Sequence, residues 1–590
     1  MQDAPPVWDL SGLYEHPDDP RISRDMEECH REAKGFSTAY RGKIADLSPA
    51  DFASALHFLE ALEERVARLT AYAFLLYAAN VENITHVRLH ARVTLFESRI
   101  KEQVLFFRLE WMQLPEDRAR SLLDLPPIER NRRHLKFLRT LSPHILSEPQ
   151  ERILALKSPA GVKAWVTLFE TTLGHARFGP QELTQVETMA RLHDDDRSVR
   201  RQASEELSAG LAGIGHVQAQ VLSTICLDRA IEDELRSYPH WLAERTLRNE
   251  LTDTSVTELE RAVSGSFDLV HRYYALKSEM LGLADFFEYD RFAPLPGCDH
   301  RFTWNQAKDL VLEAFANFSP EMARTAERFL QENWVHARTA QGKLAGAFAH
   351  PTVPGHHPYI FCNFTGTLDD VFTLAHELGH GVHQYLSRKQ GIFNQEPSLV
   401  LAETASFMAE WLLHDQLVRN ADNPLERLAL LCARMEDLIA TVFRQVSLHR
   451  FEAAMHKNVR ETGSADKELL CTLWLDEQRA ILGPGVRLSQ GYRNWWAYIP
   501  HFAHTPGYVH AYAFAQMIVL ALDTQRTSGS PEFGRQFVEL LSSGGCAAPQ
   551  TGLAGFGLEI NTPKFFHAGI ETMERLLVEA EQGFHTVAGR

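Results

Sequence analysis

His376, Glu377 and His380 form a His-Glu-x-x-His pattern within DDVFTLAHELGHGVHQYLS, residues 369–387. On a helix, positions i and i+4 share a face, with Cβ atoms about 5–6 Å apart. Two imidazoles at that spacing can bind one tetrahedral zinc ion. Glu377, next to His376, can reach a water on that ion and take its proton. The chemistry this spacing serves is metal-assisted hydrolysis, and it needs a helix rather than a strand. Val371, Leu374, Ala375, Leu378 and Val382 repeat at helical spacing, and Asp369 and Asp370 lie near the start, where negative charge is favourable. Gly379 and Gly381 each cost about 1 kcal/mol of helix propensity against Ala. A helix accepts that cost where another backbone approaches closely.

A catalytic zinc takes three protein ligands and keeps one position open. The third is expected on SLVLAETASFMAEWLLHDQLV, residues 398–418, which reads as a second helix after a loop containing Gly391 and Pro397. Glu403 falls on its first half, and Glu410 two turns later on the same face. Antiparallel packing of the two helices would turn Glu403 toward the histidine pair. Both glutamates have apolar neighbours, which argues for buried roles. Glu410 reads either as a group that orients a ligand or as a plain surface carboxylate.

Amide hydrolysis passes through a tetrahedral oxyanion that needs hydrogen-bond donors besides the metal. NWWAYIPHFAHTPGYVHAYAFAQ, residues 494–516, crowds His501, His504, Tyr508, His510 and Tyr512 around Gly507. The other reading of this segment is an aromatic core stretch with ordinary buried histidines.

The elements that must carry these groups are mostly amphipathic helices. Residues 50–112 show apolar positions three and four apart, from Phe52 and Leu56 to Val66 and Leu69, and Ser48-Pro49 marks a helix start. Residues 163–230 continue in this style, broken near Gly179-Pro180. The best strand signal is Lys343–Phe364, two short apolar runs flanking PTVPGHH, which predicts a hairpin with Tyr359, Phe361 and Asn363 on one face. A coarse division predicts an N-terminal helical lobe over 1–195 and a catalytic lobe over 196–590.

The chain has 590 residues, more than a single hydrophobic core usually serves, so more than one lobe is expected. Its 45% hydrophobic and 23% charged residues are those of a globular protein. A formal charge of -17 argues against nucleic acid as a partner. Seven scattered cysteines without CxxC pairs suggest neither a disulfide framework nor a cysteine metal site, and Cys362 reads as a small core residue. The opening MQDAPPVWDL does not read as a signal peptide, and no membrane span is expected, so the predicted location is cytoplasmic.

Taken together and in order, GTLDDVFTLAHELGHGVH, GKLAGAF, PYIFCNF, LAETASFMAE and IPHFAHTPGYVHAY resemble the oligoendopeptidase F branch of the thimet oligopeptidase family of zinc metallopeptidases. The opening VWDLSGLY and the YDRFAPL run at 289–295 share the likeness, which covers nearly the whole chain. The resemblance implies a mainly α, multi-helical, ellipsoidal two-lobed peptidase with a deep channel and a small β-sheet near the zinc site. It implies a zinc-dependent endopeptidase that hydrolyses internal bonds of short or unfolded oligopeptides; that no membrane partner is expected rests on the apolar patterning above, not on the resemblance. One zinc ion on His376, His380 and Glu403 is implied, with Glu377 as general base acting on the metal-bound water. His501 and Tyr508 carry over as oxyanion donors. Ala347, Phe348, Asn363 and Tyr512 carry over as substrate-binding positions, with the strand around PYIFCNF pairing with the peptide backbone. There are departures. Phe348 stands where the branch usually has tyrosine, His510 and Ala511 replace more typical residues, and Ala515 occupies the position of a second tyrosine seven residues beyond the first. An exopeptidase with this site, a catalytically silent peptide-binding protein, and a helical scaffold with a structural metal are the alternatives.

Overall fold

The computed structural model describes residues 4–295, 301–527 and 532–589. The fold is mainly helical, and among the described residues one three-stranded sheet interrupts the helices. Two compact units are each assembled from three stretches of chain. The first combines Met1–Arg152, His300–Gln416 and Gly529–Gly555; the second combines Ile153–Asp299, Leu417–Ser528 and Phe556–Arg590.

In the first unit, the periodic run over 50–112 is two helices, Pro49–Ala79 and Ile84–Gln113. Ser48 starts the former by accepting the Asp51 N–H at 3.2 Å, with Pro49 at a position that has no helical bond to lose. Asn83 starts the latter by accepting the Thr85 N–H at 3.0 Å. Apolar periodicity runs through both, so only the caps reveal the break. The hairpin forms as β2, Phe348–His350, antiparallel to β3, Tyr359–Phe361. β1, Val335–His336, lies parallel to β3 on its other side, giving the order β1-β3-β2. A two-residue strand carries no periodicity, so β1 has no signal in the sequence. This corrects the expectation that the PYIFCNF strand pairs with a peptide backbone: β3 is central and bonded to a strand on each side, so its own edges are taken and β2 is an outer strand of the sheet. All three β3 side chains are buried, while Asn363 lies beyond its end.

The histidine-bearing segment is one helix, Leu368–Ser387. Thr367 caps it reciprocally: its hydroxyl accepts the Asp370 N–H at 3.1 Å, and the Asp370 carboxylate accepts the Thr367 N–H at 3.0 Å. The second predicted helix spans Leu399–Asn420. The two meet at Gly379, where a Cβ would stand 2.7 Å from Ala405 O and 2.8 Å from Ser406 Cα. Gly381 faces the opposite way, toward Ile360 of β3 and Phe329. Both glycines therefore sit where neighbours approach closely, as their propensity cost suggests.

In the second unit, the longest helix is Arg197–Leu235, 39 residues. By length and composition it is apolar enough to cross a membrane, but half of its apolar window is buried inside the protein. Packing against Arg444–Thr462 and against Gln490–Tyr498 accounts for that character. Trp495 is buried here and donates its indole N–H to Ser208 Oγ at 2.9 Å.

Replacing Gly379 by Ala places a methyl group against the backbone of the facing helix, which cannot yield as a flexible side chain would. We expect Gly379→Ala to destabilise the protein by about 1–3 kcal/mol. A thermal melt reads this, and an unchanged midpoint would show that the two helices separate freely at this contact.

Candidate metal centre

The Leu368–Ser387 and Leu399–Asn420 helices bring His376, His380 and Glu403 together. Their ligand atoms all lie within 4.8 Å of one another. Glu403 Oε2 is 3.7 Å from His376 Nε2 and 3.5 Å from His380 Nε2. Donors about 2.1 Å from a tetrahedral ion stand about 3.4 Å apart, so this spacing fits one small divalent cation such as zinc. The imidazole rings are T-shaped, with centroids 4.8 Å apart. Glu403 is 8% exposed and receives the Ser406 hydroxyl at 3.1 Å. Burial raises its carboxyl, but the hydrogen bond and charge of His380 more than offset this and hold it below the ordinary carboxylate range.

Glu410 lies 2.5 Å from His376 Nδ1. A carboxylate there holds the Nδ1 proton, which leaves the Nε2 lone pair turned toward Glu403. Of the two readings of Glu410 from sequence, the structure favours the orienting one. Burial lowers His376, and the Glu410 hydrogen bond and charge outweigh it, raising the imidazole. Glu377 is 5% exposed, and its Oε2 is a buried oxygen without a hydrogen-bond partner. Burial raises its carboxyl while His376 and His380 pull it down, leaving it above the usual range. A buried carboxylate oxygen with an unspent lone pair next to a three-ligand cluster is equipped to take a proton.

The sheet adjoins this helix. Gln384 Nε2 donates to Ala349 O of β2 at 3.2 Å. Phe348 stacks on Phe361 at 4.8 Å between centroids, which an aromatic ring of either kind at this position could do. Ala347 precedes it and is half-buried. Asn363 spends its amide N–H groups on Leu344 O and Gly346 O, at 3.0 and 3.1 Å, so it holds the loop leading to Ala347. Lys343 was not singled out from sequence. Its ammonium donates to Cys362 O at 2.5 Å, Arg338 O at 3.0 Å and His336 O at 3.2 Å. Burial lowers it to about 8. Only the folded loop brings those three carbonyls together, so spacing alone held no sign of them.

In the second unit, the late histidines and tyrosines separate by burial. His501, Tyr508 and Tyr512 are half-buried and cluster, with centroid distances of 6.1 Å (His501–Tyr508), 6.0 Å (His501–Tyr512) and 5.0 Å (Tyr508–Tyr512). Burial, then the charges of Arg444 and His504, lower the His501 imidazole. His504 is exposed and pairs with Glu170 at 3.2 Å. His510 is a core residue, 1% exposed against His449, and burial drives its imidazole well down. Gly507 has φ +74°, a conformation glycine adopts without strain, and its N–H donates to the buried Glu452 carboxylate at 2.8 Å. That bond anchors the loop from which Tyr508 projects.

If Glu410 orients His376, losing it should loosen any metal held there. We expect Glu410→Ala to weaken zinc affinity about 10–100-fold in chelator competition. Unchanged affinity would assign Glu410 to packing alone.

Comparison with known proteins places these features in one family. The family model described as Peptidase family M3 matches residues 190–572, and a second, Oligopeptidase F, matches residues 110–178. Oligopeptidase PepF of Bacillus subtilis is 25% identical over 98% of this chain and 88% of its own length. Group B oligopeptidase PepB of Streptococcus agalactiae is 26% identical over 94% of this chain and 93% of its own. A putative peptidase from Chlamydophila abortus has the same fold, with a TM-score of 0.82 at 23% identity over 98% of both chains. Oligoendopeptidase-F from Enterococcus faecium superposes with a TM-score of 0.75 at 22% identity, over 97% of this chain and 100% of its own. The matched region takes in the His-His-Glu cluster, Glu377 and the His501–Tyr512 segment, and the chain belongs to peptidase family M3, in its oligopeptidase F branch.

Proposed function

We propose that this protein is a zinc-dependent endopeptidase that cleaves internal peptide bonds of short or unfolded oligopeptides. The observation that carries the reading is the convergence of two imidazole nitrogens on one carboxylate oxygen, at 3.7 and 3.5 Å, with a buried Glu377 carboxylate oxygen next to His376 that has no partner among the described residues. The names of the relatives, oligopeptidase and oligoendopeptidase, support the substrate class.

His376, His380 and Glu403 would hold the ion. When bound, zinc supplies Lewis acidity to the scissile carbonyl and to the attacking water. Glu377 takes one proton from that water through its carboxylate and passes it to the departing amine nitrogen as the C–N bond breaks. Glu410 keeps the His376 ring in one tautomer throughout. Tyr508 donates its phenolic O–H to the oxyanion, with His501 as a second donor through a ring N–H. His501 is suited to this as a neutral imidazole, since burial and Arg444 both disfavour its protonation. Ala347 and Phe348 lie at the β2 edge, where an extended peptide could add as a further strand. Asn363 supports this edge through the 344–346 carbonyls, and Tyr512 packs beside Tyr508.

The deciding measurement is cleavage of an internally quenched peptide blocked at both ends. We expect wild-type turnover to stop on chelation and return with zinc. Glu377→Gln should bind zinc normally and lose about 10³-fold or more in kcat; substantial turnover by that variant would remove Glu377 from the mechanism. Tyr508→Phe should lower kcat by about 10²-fold with little change in KM, because an oxyanion donor acts in the transition state. A change confined to KM would place Tyr508 in ground-state binding instead.

A further inference from the structure

The second unit contains a cavity of about 520 Å³, the size of a small-ligand site. Two arginines line it, Arg291 and Arg444. Neither has a carboxylate within ion-pair distance among the described residues. Arg291 donates Nε–H to Glu288 O at 2.9 Å and Nη2–H to the Tyr492 hydroxyl at 3.1 Å. Arg444 donates Nη2–H to the Tyr498 hydroxyl at 3.2 Å. Arg291 also hydrogen-bonds the Tyr274 hydroxyl. Each of these partners is a neutral oxygen, and several of the N–H groups that two guanidiniums carry are left over.

The acids nearby are already committed. Glu436 lines the same cavity, but its Oε1 accepts Lys277 Nζ at 2.5 Å and the Tyr273 hydroxyl at 2.6 Å. Lys277 is fully buried, so that pair neutralises itself. Glu288 does not line the cavity; its carboxylate accepts the Ser204 and Ser489 hydroxyls, at 3.0 and 2.6 Å, and the Ser489 N–H at 2.9 Å, so it is held away from both guanidiniums. Among the described residues, the cavity lining therefore carries two guanidiniums that no carboxylate ion-pairs, behind largely apolar and phenolic walls; the Phe292 and Tyr492 rings lie beneath Arg291, at 5.0 and 5.8 Å. Holding unpaired guanidiniums out of bulk water costs stability, and an anion of matching planar geometry relieves that cost. A carboxylate is such an anion, since the guanidinium fork bonds both of its oxygens. His501 lines the cavity too, which sets the anion site beside a residue assigned above to the oxyanion.

We propose that this cavity is a carboxylate subsite, in which Arg291 and Arg444 bind a carboxylate of the peptide substrate, either its free C-terminus or an Asp or Glu side chain. The inference rests on the peptidase reading, and it deepens that reading by naming an acidic determinant of substrate choice.

The test measures binding to the zinc-loaded Glu377→Gln protein, so that it does not depend on turnover. Four labelled peptides of one sequence are compared by fluorescence anisotropy: free or amidated at the C-terminus, and with Glu or Gln at one internal position. We expect at least one carboxylate to tighten binding roughly tenfold. That preference should fall below about twofold when Arg444→Gln is added, and Arg444→Lys should retain part of it, since a lysine keeps the charge but not the fork. The free-acid arms and the Glu arms separate the two sources of the carboxylate. Equal binding of all four peptides to the parent overturns the proposal. So does a preference that survives Arg444→Gln, which would place the carboxylate on the metal. A uniform loss for all four peptides in Arg444→Gln also overturns it, because a structural role weakens every peptide alike. If the wild type cuts no peptide while the arginine-dependent preference is present, the endopeptidase reading falls and the carboxylate site stands.

Discussion

The close approach of two helix backbones at Gly379 is the constraint on which the candidate metal centre depends. A Cβ there would meet Ala405 O and Ser406 Cα at 2.7 and 2.8 Å. Without the glycine the Leu399–Asn420 helix would have to stand off. Glu403 sits two residues before Ala405, so any such shift moves its carboxylate away from His376 and His380. The helix gives up about 1 kcal/mol of propensity at this position. It gains a donor spacing that a small tetrahedral ion can satisfy.

Around that contact, polar groups are spent selectively. His376 has one nitrogen committed to Glu410 and the other facing Glu403. Glu403 takes the Ser406 hydroxyl, while Glu377 keeps a buried oxygen without a partner. An unsatisfied buried polar atom is costly, and at Glu377 it lies beside the ligand cluster. The same selectivity orders the second unit. Among five late histidines and tyrosines, His510 is sealed in the core, His504 faces solvent, and His501, Tyr508 and Tyr512 stay half-buried and in contact. Glu452 fixes the intervening loop through one backbone N–H at Gly507.

Much of this was legible in the residues themselves. Spacing of four between histidines, helical apolar periodicity on both flanks and two poorly helical glycines implied a helix crossed by another backbone, and that crossing is present. The hairpin was legible from two apolar runs around PTVPGHH. β1 was not, because two residues cannot show a period. The break at Asn80–Asn83 was hidden by continuous periodicity across it. Glu410 was left between two roles, since apolar neighbours in the chain do not say which side chain lies opposite.

The sequence by itself determined the chemistry available: which residues could ligate a metal, which carboxylate could serve as base, and which family the ordered motifs resemble. Those follow from side-chain type and from spacing along a single helix, where position in the chain sets position in space. Only the tertiary structure decided which polar groups are spent and which are left over. Asn363 proved to hold a loop, Lys343 to gather three carbonyls, and Arg291 and Arg444 to stand without an ion-paired acid among the described residues. Each of these depends on how the folded loops and packed helices bring partners together, whether 5 residues apart as for Lys343 and Arg338 or 201 as for Arg291 and Tyr492, and burial makes every such pairing count. Local pattern carries no record of it.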